Sequence, residues 1–299
     1  MLKVYSILTM LSALIVTVSA NAAALLIPGG TFQMGSNNGM PHERPVHEVK
    51  VTSFKLDISP VSVGTFEVWL ARSGYKTEAD KFGNSAVFDM DTGQWNMVTD
   101  ANWQYPMGPD QEKAQANHPV TQVSWHDAKQ YCEAAGGRLP KEAEFEYAAK
   151  GAGQYGNPVY AFGDKIVKDG DFLVNVYNGK FPFKNTGADG YLYTAPIGKT
   201  GITPLGLTDM AGNVWEWTND WYGPYTGTSD GTSAKTEKAL RGGSFLCDQE
   251  VCHGYRTTGR THSTPDSSLV HTGFRCAYDV TTPPTETTKT TKTTEGAAQ

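Results

Sequence analysis

From about Gly153 to Asp279 the sequence carries no stretch with a convincing helical period. Short segments of β character alternate with long loops instead. So long a stretch of irregular chain inside a folded protein is functional, or is held by staples such as metal ions. Composition agrees. The 299 residues include 32 Gly and 16 Pro, together about 16% where about 12% is usual. This is a turn-rich globular protein, short of long helices and long enough to bury a full core. A formal net charge of −6, with no basic stripe, argues against nucleic acid as a partner.

The two ends differ from the middle. Residues 1–22, MLKVYSILTMLSALIVTVSANA, place Lys3 ahead of an apolar stretch and an Ala20-Asn21-Ala22 site, the pattern of a cleaved secretory signal peptide. Ser and Thr interrupt the apolar run, which is short for a membrane span. The expectation is an exported protein, periplasmic or secreted (the secretory-pathway lumen in a eukaryote), with no membrane span after cleavage. Disulfides persist in such a compartment. Residues 281–299, TTPPTETTKTTKTTEGAAQ, have no large apolar side chain and are expected to form a disordered Thr-rich tail. A single domain is expected over residues 25–279.

Within it, LIPGGTFQMGS reads as a strand, a Gly29-Gly30 turn and a second strand. SVGTFEVWLARSG reads as a helix capped by Ser62 and stopped by Gly74, with Phe66, Leu70 and Val63 on its apolar face. In SWHDAKQYCEAAGG, Ser124 and Asp127 form a capping box and Gly136 ends the helix. Ala128, Tyr131 and Cys132 then face inward. PKEAEFEYAAKG places Pro140 at the first helical position and Gly151 at the stop, with Ala143, Phe145 and Tyr147 partly buried.

Two stretches of the irregular half have the chemistry of calcium sites. In NVYNGKFPFKNTGADGY, Asn175 and Asp189 offer side-chain oxygens, and Val176 and Tyr191 can offer carbonyls. In DMAGNVWEW, Asp209 and Glu216 offer carboxylates, and Gly212 and Val214 can offer carbonyls. Calcium takes six to eight hard oxygens. Neither stretch is an EF-hand loop, and Asn and Asp are also ordinary turn residues. The seven histidines are scattered without metal-ligand spacing.

Four cysteines, Cys132, Cys247, Cys252 and Cys276, allow three pairings. A turn must bring Cys247 and Cys252 together, because positions i and i+5 face differently in regular structure. Spacing and compartment favour a disulfide between them. Two thiolates held free for a soft ion such as Cu(I) are the alternative.

The motifs IPGGTFQMGS, GYKTEADKFGNSAVF, ANWQYPMGP, GGRLPKEAEFEYAA, GLTDMAGNVWEWTNDWY, RGGSFLCDQEVCHGYR and TGFRCA occur in this order. Together they resemble the formylglycine-generating enzymes, also called sulfatase-modifying factors. GGRLPKEAEFEYAA and GNVWEWT mark the wider superfamily and say little about chemistry. RGGSFLCDQEVCHGYR is the discriminating stretch. The resemblance implies an irregular, loop-rich α+β fold of low regular secondary structure, related to C-type lectins. It implies that Cys247 and Cys252 hold Cu(I), with Ser244 beside them, Trp215 and Arg260 lining the pocket and Trp103 bordering the cleft. It further implies two structural Ca2+ sites, at Asn175, Val176, Asp189 and Tyr191 and at Asp209, Gly212, Val214 and Glu216. Cys132 and Cys276 match a disulfide of some members. A second one is replaced here by Ala149 and Thr257.

The implied reaction is the O2-dependent oxidation of a cysteine to Cα-formylglycine. The target lies in a Cys-x-Pro-x-Arg segment of an unfolded sulfatase, and the enzyme acts as a monomer. Two other readings use the same fold. One is an exported oxidoreductase for another substrate, such as a siderophore or natural-product precursor. The other is a non-enzymatic lectin-like binding module in which Cys247–Cys252 is an ordinary disulfide.

Overall fold

Side-chain capping sets the helices. The first, α1 (Val63–Ser73), begins where Ser62 Oγ accepts the Thr65 N–H and ends at Gly74 in the left-handed conformation. Val63 and Phe66 are buried and Leu70 packs on the same core. Five-residue α2 (Glu78–Phe82), capped by Thr77, is too short to show a period and was not expected. In α3 (Trp125–Ala134) the Ser124–Asp127 capping box is present. Ala128, Tyr131 and Cys132 are buried as expected. Asp127 also accepts from the Tyr75 hydroxyl and the Glu78 N–H, tying α2 to α3.

The last helix, α4 (Glu142–Ala149), starts two residues after the expected Pro140. The Pro140 carbonyl instead accepts the Asn219 N–H, and Glu144 Oε2 accepts the Lys141 N–H. Phe145 and Tyr147 are buried and Ala143 half-buried. So are three residues that an amphipathic reading would leave in water: Glu142, Glu144 and Glu146.

The computed structural model describes residues 23–225 and 235–280. The expected signal peptide and Thr-rich tail lie outside the described residues. No helix among the described residues is long and apolar enough to cross a membrane. Beyond α4 the described residues hold short strands and loops only. This loop-rich α+β architecture is the one expected.

Strands β1 (Ala24–Ile27) and β2 (Gly30–Met34) form on either side of Gly29, but do not pair with each other. β2 pairs with β3 (His47–Val51). β1 pairs with β4 (Phe54–Asp57), which also pairs with a strand at the far end of the chain. Alternating apolar residues show that a strand exists, not which strand it joins. β5 (Asn84–Asp89) and β6 (Gln94–Thr99) form an antiparallel hairpin. Two two-residue pairs follow, β7 (Val167–Lys168) with β8 (Asp171–Phe172) and β9 (Gly179–Lys180) with β10 (Lys184–Asn185).

The sheet that carries the site has four strands. β11 (Trp215–Trp221) lies between β12 (Lys238–Arg241), antiparallel, and β14 (Thr272–Gly273), parallel. β13 (Arg260–Ser263) pairs with β12 on the outside. The last strand among the described residues, β15 (Ala277–Asp279), lies next to β4. Just before it, Cys276 is bonded to Cys132 of α3, with Cα atoms 5.4 Å apart. The loop this disulfide closes spans 144 residues.

Candidate active site

The cysteine loop leaves β12 at Arg241 and returns to β13 at Arg260. Ser244 starts the inward turn. Its carbonyl accepts the Cys247 N–H at 2.9 Å and its Oγ the Leu246 N–H at 3.2 Å. Asp248 makes the return turn, with Oδ1 accepting the Val251 N–H and its carbonyl the His253 N–H. Cys247 and Cys252 thus meet, Cα atoms 5.1 Å apart, and are joined as a disulfide. Two glycines permit the crossing. A Cβ on Gly243 would lie 2.5 Å from the Tyr255 nitrogen. One on Gly254 would lie 2.4 Å from the Trp215 ring and 2.9 Å from Cys252 Sγ.

The last contact puts Trp215 against the sulfur pair. Cys247 is buried with Trp215, Trp103, Tyr160 and Tyr255 in one apolar cluster, and half-buried Cys252 packs on it. Adjacent His253 sits at φ +41° and its Nε2 bonds the Tyr160 hydroxyl at 3.1 Å. Burial, then nearby Arg256, lowers its pKa. The donor set at the pair is therefore two soft sulfurs under aromatic cover. Once reduced, these residues fit Cu(I).

Arg260 lies elsewhere. Its Nε and Nη2 bind Glu142 at 2.7 and 2.8 Å. Nη1 donates to the carbonyls of His42 and Gly223, and the guanidinium stacks on Tyr222 and Tyr225. It borders a cleft of about 370 Å³ lined by Pro41, His42, Arg44, Tyr222 and Glu237, without either cysteine. The structure thus brings Ser244 and Trp215 to the two cysteines, while Trp103 lies in the same apolar cluster with its ring 5.9 Å from that of Phe66. Arg260 is placed in the foundation of the loop.

Sequence reasoning missed the rest of that foundation. Arg241, fully buried, donates to Glu146 Oε2 at 2.5 Å and to the carbonyls of Thr257 and Thr258. It ties the start of the cysteine loop to its end and both to α4. Glu146 also takes Lys150 and the Gly35 N–H, each at 2.7 Å. The available signal was EAEFEY, where acids interleave with aromatic residues on one short helix.

The residues of the two expected calcium positions are held by hydrogen bonds. Asn175 is buried and its Oδ1 has no partner among the described residues, while its Nδ2 donates to Tyr193 O and Asn213 Oδ1. Asp189 accepts the Val176 and Tyr191 N–H groups, and burial raises its carboxyl pKa. An orphaned amide oxygen, with a partly desolvated carboxylate bonded to the next residue's N–H, fits a hard cation. At the second position, Asp209 accepts from Gly198, Thr200 and Asn213. Glu216 binds Arg275 through both oxygens, at 2.6 and 2.7 Å. Burial raises the Glu216 pKa against Arg275, and Asp209 and Asp57 add to the rise. Buried carboxylates there outnumber the one guanidinium, which also fits a cation. Gly212 of this set donates its N–H to Gly242 O, ahead of the cysteine loop. Asn213, also unanticipated, bonds Asn175 and Asp209, and its carbonyl accepts the Phe245 N–H. Among the described residues no three His, Cys, Asp or Glu side chains converge on one point.

A loop-rich α+β chain with a long-range disulfide and a cysteine pair, one buried and one half-buried, beside a tryptophan defines a narrow class. The family model described as the sulfatase-modifying factor enzyme 1-like domain matches residues 13–280. The formylglycine-generating enzyme of Mus musculus is 39% identical over 85% of this chain and 74% of its own length. That of Streptomyces coelicolor is 40% identical over 85% and 88%. The inactive C-alpha-formylglycine-generating enzyme 2 of Bos taurus is 36% identical over 87% and 89%. Among solved structures, PvdO from Pseudomonas aeruginosa superposes with a TM-score of 0.65 at 25% identity, over 86% of this chain and 94% of its own. The chain belongs to the sulfatase-modifying factor family, the formylglycine-generating enzymes.

Proposed function

We propose that the protein oxidises the cysteine of a Cys-x-Pro-x-Arg segment in an unfolded sulfatase to Cα-formylglycine, with O2 as oxidant. It does so outside the cytoplasm, with Cu(I) held by reduced Cys247 and Cys252 and with Ca2+ bracing the two loops described above. The observation that carries this reading is the meeting of Cys247 and Cys252 against Trp215 in an apolar cluster. Cys247 and Cys252 would hold the Cu(I), which would supply a soft, sulfur-preferring centre for thiolate binding and O2 activation.

The chain's own residues do the rest. Trp215, Trp103 and Tyr255 exclude water while the substrate carbon is oxidised. Ser244, whose Oγ already accepts one N–H, keeps a hydroxyl proton to donate to the reacting group. Arg241 and Asp248 hold the two cysteines in register.

The electrons balance with one further reactant. Loss of the Cβ–H and the thiol proton gives a thioaldehyde and two electrons. Water converts the thioaldehyde to the aldehyde and releases hydrogen sulfide. Reducing O2 to two waters takes four electrons, so a thiol reductant supplies the other two and becomes a disulfide.

The test is mass spectrometry of a Cys-x-Pro-x-Arg peptide incubated in air with reduced, copper-loaded protein and a thiol. An aldehyde product is expected, absent in Cys247→Ser and Cys252→Ser. No aldehyde from the unaltered protein would sink this reading and leave the two others, an oxidoreductase for a different substrate and a binding module in which Cys247–Cys252 remains a disulfide.

A further inference from the structure

Strand β6 pairs with β5 alone, in a sheet of two strands. Ala86 of β5 shows which backbone groups of β6 are free. Its N–H donates to Ser268 O and its carbonyl accepts the Val270 N–H, so both point away from β6. In an antiparallel ladder the residue opposite such a position also points its groups outward. Met97 lies opposite Ala86, and the alternation repeats at Trp95, opposite Phe88. The N–H and C=O of Trp95 and Met97 therefore face away from the sheet, and no described residue bonds them.

Exposed edges are normally blunted by Lys, Pro, a bulge or a covering segment. β6 reads Gln-Trp-Asn-Met-Val-Thr, with no charge and no Pro, and its register with β5 is unbroken. Trp95 is 46% exposed and Met97 66%. The edge is also held in place. The Trp95 ring lies 5.0 Å from that of His271 and 5.4 Å from that of Phe88.

Both supports lead to the cysteine pocket. The His271 carbonyl accepts the Trp215 N–H. Phe88 shares an apolar cluster with Leu246, the neighbour of Cys247. The hairpin thus reaches the residues around the cysteine pocket through the Trp95 ring, while its open edge faces away from β5 and Leu269, where the flanks of a bound polypeptide rather than its target cysteine would lie.

We propose that β6 captures the unfolded client by strand addition, through the main chain that flanks the target cysteine. The outward groups of Trp95 and Met97 hydrogen-bond that main chain, and their side chains take its apolar residues. Main-chain pairing suits this task because every extended client offers the same groups whatever its sequence. Met and Trp add adaptable contact area. The proposal rests on the reading that the substrate is an unfolded polypeptide.

The test is fluorescence anisotropy on the full chain with three labelled peptides, each with Ser in place of the target cysteine. One is the five-residue core. The second adds eight residues on each side, and the third is the long peptide N-methylated at alternate flanking positions. The long peptide is expected to bind about tenfold tighter than the core, and the gain to vanish on N-methylation. It should vanish also in Met97→Pro, which removes an outward N–H that the β5 ladder does not use. No gain from the flanks, or a gain that survives N-methylation, overturns the proposal. Aldehyde formation is read separately, from the five-residue core with its cysteine restored. Aldehyde without a flank gain sinks the edge alone, and a flank gain without aldehyde sinks the chemistry alone.

Discussion

Replacing Glu146 with Gln removes one charge from the foundation of the cysteine loop and almost no volume. Glu146 is fully buried and takes Arg241 Nη2 at 2.5 Å, Lys150 Nζ at 2.7 Å and the Gly35 N–H at 2.7 Å. The remaining carboxylate, Glu142, lies 3.4 Å from Arg241 and is already bidentate on Arg260. Two buried cations thus lose their main partner, and Gln turns an N–H2 toward one of them. Removing one side of a buried ion pair costs about 3–5 kcal/mol, because the other side stays desolvated and unpaired. The expected outcome for Glu146→Gln is a fall of about that size in unfolding free energy by urea titration, at unchanged m value. Arg241 also holds the Thr257 and Thr258 carbonyls, so aldehyde formation should fall too in the fraction that stays folded. A loss below about 1 kcal/mol would refute the reasoning, since it is the size expected of an exposed pair.

Two further outcomes test other buried groups. Burial raises the Asp57 carboxyl from 3.8 to about 6, against hydrogen bonds from Cys276 and Tyr278. The folded state then holds this proton more tightly than the unfolded chain does. Its contribution is most favourable below the unfolded value and declines as pH rises toward 6, by about 3 kcal/mol at about 1.4 kcal/mol per unit. Urea titrations at pH 4 and pH 7 should show Asp57→Asn without this decline. Equal pH slopes for the two proteins would exclude it. Chelation of calcium should lower the melting temperature of the wild type, and Asn175→Ala, which removes the orphaned Oδ1, should shrink that response. A melting temperature indifferent to chelator would remove the calcium assignment.

The helix ends were legible because their signals are local. Ser62, Gly74, Ser124 and Asp127 act on N–H and C=O groups within four residues. The cysteine loop was legible through its motif, and its two glycines are needed where the chain crosses itself. The loop-rich character of the second half followed from the missing helical period.

What the tertiary structure decided lies between residues far apart. Alternation marked β1 and β2 as strands, but β1 finds its partner in β4, and β4 its second partner in β15, more than 200 residues later. Glu142, Glu144 and Glu146 are buried in α4. Glu146 is buried because Arg241, 95 residues later, meets it, and Glu142 because Arg260, 118 residues later, does. That pairing moved Arg260 from the pocket wall to the base of the loop. Burial of a charge depends on a counter-charge that only the folded chain brings near, so no reading of neighbours along the sequence could place it. Residue types and local caps were in the sequence; which charges and strand edges meet was decided by the fold.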